Sequence, residues 1–112
     1  MSNKEILEKA NVAIRKGNYE DFLTFCTDDT IWEFVADQTL HGKEEVRQYM
    51  AKTYVEPPKL TEERFIAEGE YLVVIGKITL KNIEGKVVKY SYCDVWRFRD
   101  GKMAALQAFV VE

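Results

Sequence analysis

The two halves of the chain carry different hydrophobic rhythms. The second half alternates with a period of two, as strands do, and the first half repeats near 3.6, as helices do. The clearest stretch runs from Val88 to Arg99. Its even positions are Val88, Tyr90, Tyr92, Asp94, Trp96 and Phe98, and its odd positions are Lys89, Ser91, Cys93, Val95, Arg97 and Arg99. Successive strand side chains point to opposite faces, so the even set is predicted to face the core. One carboxyl then interrupts an apolar face. Burying it ionised and unpaired is costly, so Asp94 must be paired, hydrogen-bonded or protonated.

Alternation predicts strands over Leu60–Ala67, Tyr71–Lys81, Val87–Arg99 and Lys102–Val111. Turns are expected at Glu68-Gly69-Glu70, around Gly85 and at Asp100-Gly101. Glu62-Glu63-Arg64 is expected as a solvated strand start, and Lys77, Thr79 and Lys81 as an exposed strand edge or end. The last strand is apolar on both sides, with Leu106, Ala108 and Val110 on one face and Met103, Phe109 and Val111 on the other.

Three helices precede these strands. Ser2 and Glu5 form a capping-box signature ahead of the stripe Ile6, Leu7, Ala10, Ala13 and Ile14. Gly17 stops that helix and Asn18 caps a short second one, whose apolar part is Phe22, Leu23, Phe25 and Cys26; Thr27-Asp28-Asp29 breaks it. Thr30 to Ala36 is predicted as a strand with Trp32 and Phe34 on one face and Ile31, Glu33 and Val35 on the other. Asp37 to Gly42 is expected to be a loop. The third helix runs from Lys43 to about Lys52 with Val46, Tyr49 and Met50 inward, and Tyr54 lies just beyond, before Pro57-Pro58.

Helices followed by strands predict an α+β domain: one curled, cone-shaped sheet wrapped around three N-terminal helices, with an apolar hollow suited to a small molecule. The outer sheet face is also apolar, through Val73, Ile75, Cys93, Val95, Phe109 and Val111. A sheet apolar on both faces needs two covers, and a two-fold homodimer through that face supplies the second.

Composition narrows the class. With 112 residues and 46% hydrophobic content, the chain is expected to form one domain with a real core. Net charge is −3 with no basic patch, which argues against nucleic acid as a partner. No stretch has the length of a membrane span, and MSNKEILEKA has no apolar signal core, so a cytoplasmic protein is expected. The two cysteines, Cys26 and Cys93, are read as reduced residues rather than a disulfide, and with one histidine they make no zinc set of the usual spacing. No phosphate-binding glycine motif occurs, so neither a metal nor an organic cofactor is implied.

The blocks Thr27-Asp28-Asp29-Thr30-Ile31-Trp32-Glu33, Leu40-His41-Gly42-Lys43 and Asp94-Val95-Trp96-Arg97-Phe98-Arg99-Asp100-Gly101-Lys102-Met103, with Leu106-Gln107-Ala108-Phe109, carry a resemblance over nearly the whole chain. The sequence resembles the NTF2-like superfamily (cystatin-like fold), in its SnoaL-like and ketosteroid-isomerase-like branch. The resemblance implies a single such domain over residues 1–112. It places Asp94 at the position of the isomerase aspartic acid that stays protonated in its apolar site and donates a hydrogen bond to a developing oxyanion. Two family positions differ. Phe34 stands where the isomerase has its general base, and Ala10 where it has its first-helix tyrosine.

Asp94 is therefore the candidate catalytic group, and Trp32, Phe34, Tyr54, Tyr92, Trp96, Leu106 and Val110 are candidate ligand contacts. Asp37 lies at the expected pocket mouth, and His41 at a loop-to-helix junction reads as structural. Two functions compete. One is a cofactor-independent isomerase, cyclase or epoxide-opening enzyme on a small apolar carbonyl or epoxide substrate. The other is a non-catalytic ligand-binding or dimerising domain of the same fold.

Overall fold

A computed structural model describes residues 1–112. Helix α1 spans Asn3–Arg15. The Ser2 side chain accepts from the Glu5 backbone N–H at 3.1 Å, and Glu5 Oε1 accepts from the Ser2 N–H at 3.2 Å, so the capping box closes. Gly17 takes φ 76°, the left-handed value that ends helices cheaply only for glycine. Helix α2 is Tyr19–Leu23 and α3 is Gly42–Thr53.

Six strands follow one another as β1 Cys26–Phe34, β2 Gln38–His41, β3 Lys59–Glu68, β4 Tyr71–Lys81, β5 Val87–Arg99 and β6 Lys102–Val111. They form one curved open sheet in the order β2-β1-β6-β5-β4-β3, with β1 parallel to β6 and every other pair antiparallel. This is the α+β cone the pattern predicts. The helices fill its concave side, where Phe22, Leu23, Val46 and Met50 meet Trp32, Trp96 and Leu106 in one core.

Four expectations are corrected. The second helix ends at Leu23, and β1 starts at Cys26, so Thr27-Asp28-Asp29 does not break structure. Long-range pairing decides this: the Met103 N–H donates to the Phe25 carbonyl at 2.8 Å, and β6 holds Cys26 in parallel register. The expected loop Asp37 to Gly42 contains β2, which pairs Leu40 with Trp32. Strand β4 lies inside the sheet between β3 and β5, so Lys77, Thr79 and Lys81 are not on an edge but in its C-terminal end, where Lys77 and Lys81 are exposed. Met103 is fully buried in the core, not on the outer face. A register shift in β5–β6 sets Arg97 against Ala105 but Phe98 against Met103, and one extra residue reverses which face a side chain joins.

The Glu62-Glu63-Arg64 segment is only partly solvated. The Glu62 side chain is 11% exposed and accepts from Arg15 at 2.9 Å and from the Asn11 amide at 3.3 Å. Arg15 also donates to the Leu60 carbonyl at 3.1 Å, so α1 is clasped to β3. Both cysteines are free thiols. Burial pushes the Cys26 thiol up to about 12, which makes it unreactive at neutral pH.

Candidate functional site

Register places the site. Across the concave face, Phe34 of β1 sits beside Ala108 of β6, which sits beside Asp94 of β5, which sits beside Val74 of β4. Adjacent strands are about 4.8 Å apart, so Phe34 and Asp94 are roughly 10 Å apart across a single methyl group. The neighbouring row is Trp32, Leu106, Trp96 and Leu72. The row on the other side holds Val110, Tyr92 and Gly76.

Gly76 lets Tyr92 cross β4. The Tyr92 hydroxyl donates to the Thr61 carbonyl of β3 at 2.8 Å. A Cβ on Gly76 would stand 2.0 Å from that carbonyl oxygen and 2.6 Å from the hydroxyl. The ring of Tyr92 thus serves as wall while its hydroxyl serves the fold.

Above Ala108 lies a cavity of about 360 Å³, within the size range of small-molecule sites. Asp94 lines it, together with Trp32, Phe34, Tyr54, Tyr92, Trp96, Leu106 and Val110, so all the candidate residues converge on one hollow. Its shape comes from the aromatic packing. Phe34 stacks on Tyr49 with centroids 4.9 Å apart, Tyr49 meets Tyr54 edge-on at 6.3 Å, and Trp32 meets Trp96 edge-on at 5.7 Å. The Trp32 indole N–H is buried without a hydrogen-bond partner.

Asp94 is partly buried and makes no side-chain hydrogen bond or ion pair within the chain. Burial alone pushes its carboxyl up to about 7 from an ordinary 3.8. Burial also raises the Tyr54 hydroxyl, with the nearby Tyr49 and Asp94 adding to the effect. Tyr49 is raised chiefly by burial too, and the charges of Asp37 and Asp94 both act on it. Tyr54 spends its backbone carbonyl on the Tyr19 hydroxyl at 3.2 Å. A carboxyl that titrates near neutrality, open to an apolar hollow, can give or take a proton at a bound oxygen.

The sequence pattern left one polar residue of this site, Asn11, unmarked, and it set Asp37 at the mouth. Asn11 continues the α1 stripe between Leu7 and Ile14 and reaches the cavity wall; its place in that stripe was the available signal. Asp37 does line the mouth, because the turn after β1 bends back: Ala36 takes φ 65°, and the Asp37 N–H donates to the Phe34 carbonyl at 2.9 Å. His41 caps α3 through its backbone and takes no part in the cavity.

A SnoaL-like domain profile matches residues 7–106. The chain belongs to the SnoaL-like family. Among curated proteins, none matches it. Solved structures of the same fold include SalBIII, described as an epoxide hydrolase/cyclase-like enzyme in pyran ring formation in polyether salinomycin. It is 19% identical, with a TM-score of 0.90 over 97% of this chain and 90% of that one. An NTF2-like protein of unknown function from Burkholderia pseudomallei is 23% identical, with a TM-score of 0.83 over 96% and 90%. TerC, co-crystallised with polyporic acid, is 20% identical, with a TM-score of 0.80 over 95% and 88%. At such identities the likeness establishes the fold, and this SnoaL-like domain's chemistry must be argued from its own cavity.

Proposed function

We propose that this SnoaL-like protein binds a small, largely apolar molecule and that Asp94 performs acid–base chemistry on its carbonyl or epoxide oxygen. The carrying observation is that the Asp94 carboxyl has no protein partner and opens onto a cavity of about 360 Å³. A structural carboxylate would be expected to be satisfied by neighbouring donors. In the protonated form Asp94 donates to the substrate oxygen as negative charge develops; in the ionised form it takes a proton from carbon or water. The flanking Trp32, Tyr92 and Trp96 supply apolar contact, and Tyr54 stands close enough to feel the Asp94 charge. Isomerisation, ring closure and epoxide opening all fit one such group, and the cyclase-like description of SalBIII is consistent with that range.

The competing reading is a binding domain without turnover. Phe34 favours it, because a phenylalanine in the same cross-strand row as Asp94 cannot accept a proton. Asp94→Asn separates the two. It keeps shape and most hydrogen bonding but removes proton transfer, so turnover of small enones or epoxides should fall at least about 100-fold. Turnover that persists in the variant refutes Asp94 as the acid–base group; ligand retention with no turnover in either form favours the binding domain.

We also place the protein in the cytoplasm as a homodimer joined through its outer sheet face. No helix is long and apolar enough to cross a membrane. Ile31, Phe109 and Val111 are 43%, 42% and 66% exposed on neighbouring β1 and β6, and Cys93 and Val95 of β5 lie beside them. Sedimentation of wild type should give twice the mass found for Phe109→Lys; monomeric wild type at micromolar concentration contradicts the dimer.

A further inference from the structure

The electrostatics of the cavity are one-sided. Its lining includes two carboxyl groups, Asp94 within and Asp37 at the mouth, and no lysine, arginine or histidine. The groups that face Asp94 come from each element around it: Tyr49 on α3 and Tyr54 after it, Tyr90 and Tyr92 on β5, Asp37 on the β1–β2 turn, and the neutral amide of Asn11 on α1. None brings a positive charge. Arg15, whose charge reaches Tyr92, is bound to Glu62 at 2.9 Å.

An ionised carboxylate here has no counter-ion from its own chain, and a ligand can supply one. Aromatic faces attract cations through their quadrupoles, most strongly when water is excluded. Trp32, Trp96, Phe34, Tyr49 and Tyr54 present such rings to the same hollow that Asp94 enters. An acidic, aromatic cavity is complementary to a cation with an apolar body, and Asp37 at the mouth adds attraction along the way in.

We propose that the cavity also takes small aryl-alkyl amines in their ammonium form, with the charge paired to Asp94 and the apolar body among the aromatic rings. This goes beyond the reading of Asp94 as an acid–base group for neutral oxygen substrates. It rests on the cavity being a small-molecule site, and it does not require turnover.

The two ligand classes respond to pH in opposite senses. Ammonium binding needs ionised Asp94 and strengthens as pH rises through about 7; an alkyl amine keeps its proton until about pH 10. A neutral oxygen ligand accepts a hydrogen bond from protonated Asp94 and binds better below that point.

The test is titration calorimetry of 2-phenylethylamine and its neutral analogue 2-phenylethanol against wild type and Asp94→Asn, at about pH 5.5 and about pH 8.5, on either side of the transition. Circular dichroism checks that the variant is folded, and Asp94→Ser repeats the comparison if it is not. At the higher pH wild type should prefer the amine by about tenfold or more, the preference should shrink at the lower pH, and the variant should show none. Amine preference that survives in the variant, or equal binding of both probes by wild type at the higher pH, overturns the proposal. In the second case the small-molecule reading survives, because the alcohol has still bound. Failure of both probes at both pH values overturns the proposal and counts against the cavity as a small-molecule site. Loss of enone or epoxide turnover leaves the amine result untouched, so the two readings can fail separately.

Discussion

Replacing Asp94 by Asn should make the protein more stable above pH 7, although it removes the group proposed to act. The carboxyl titrates near 3.8 in an unfolded chain and near 7 in the folded one. Between those values the folded state holds a proton that the unfolded state has released, so stability falls as pH rises, by about 1.4 kcal/mol per pH unit. The loss is absent below the lower value and complete above the upper one, and over the whole window it comes to about 4 kcal/mol. Asparagine has no such charge. The two proteins should therefore unfold at similar urea concentrations near pH 4, and the variant should be more stable by up to about 4 kcal/mol near pH 8. Other titrating groups are common to both and cancel in the difference. A carboxylate that served the fold would behave in the opposite way, and asparagine would cost stability above pH 7. A variant that is destabilised at pH 8, or a difference that does not change with pH, refutes the reasoning.

Three further outcomes follow from the packing. Gly76→Ala should cost about 3 kcal/mol, because the new methyl overlaps the Thr61 carbonyl at 2.0 Å and displaces the Tyr92 hydroxyl; a melting temperature within a degree or so of wild type contradicts the close crossing. Ala108→Leu should fill the space between Phe34 and Asp94 and weaken ligand binding by about tenfold or more, with less than about 1.5 kcal/mol lost in urea unfolding; unimpaired binding moves the ligand away from this row. Arg15→Ala should cost about 1–2 kcal/mol, since Glu62 keeps only the 3.3 Å bond from Asn11 at 11% exposure; unchanged unfolding would mean the clasp between α1 and β3 contributes nothing.

The residues that could be read correctly from sequence are those whose environment is set by close neighbours. Strands β4, β5 and β6 run over the spans their alternation predicts, and Asp100 and Gly101 turn with φ of 52° and 74°. Asp94 was legible because a carboxyl interrupts an aromatic face, which local alternation reveals. Long-range effects were not legible. The start of β1 depends on a parallel partner more than seventy residues away, at Met103. Strand β2 has only four residues, too few to show a period. The inward turn of Met103 depends on one extra residue in a ladder. The cavity itself depends on how Phe34 and Tyr49 stack, and side-chain spacing along one strand does not carry that information.

The central claim is that Asp94 stands unpaired in an apolar hollow, and carboxyl ¹³C chemical shifts followed by NMR across neutral pH test it most directly. Assigned through its absence in Asp94→Asn, the Asp94 signal should show a midpoint near 7. A midpoint near 3.8, the ordinary aspartate value, would mean that water or a partner already stabilises the charge, and neither the acid–base chemistry nor the amine site would stand.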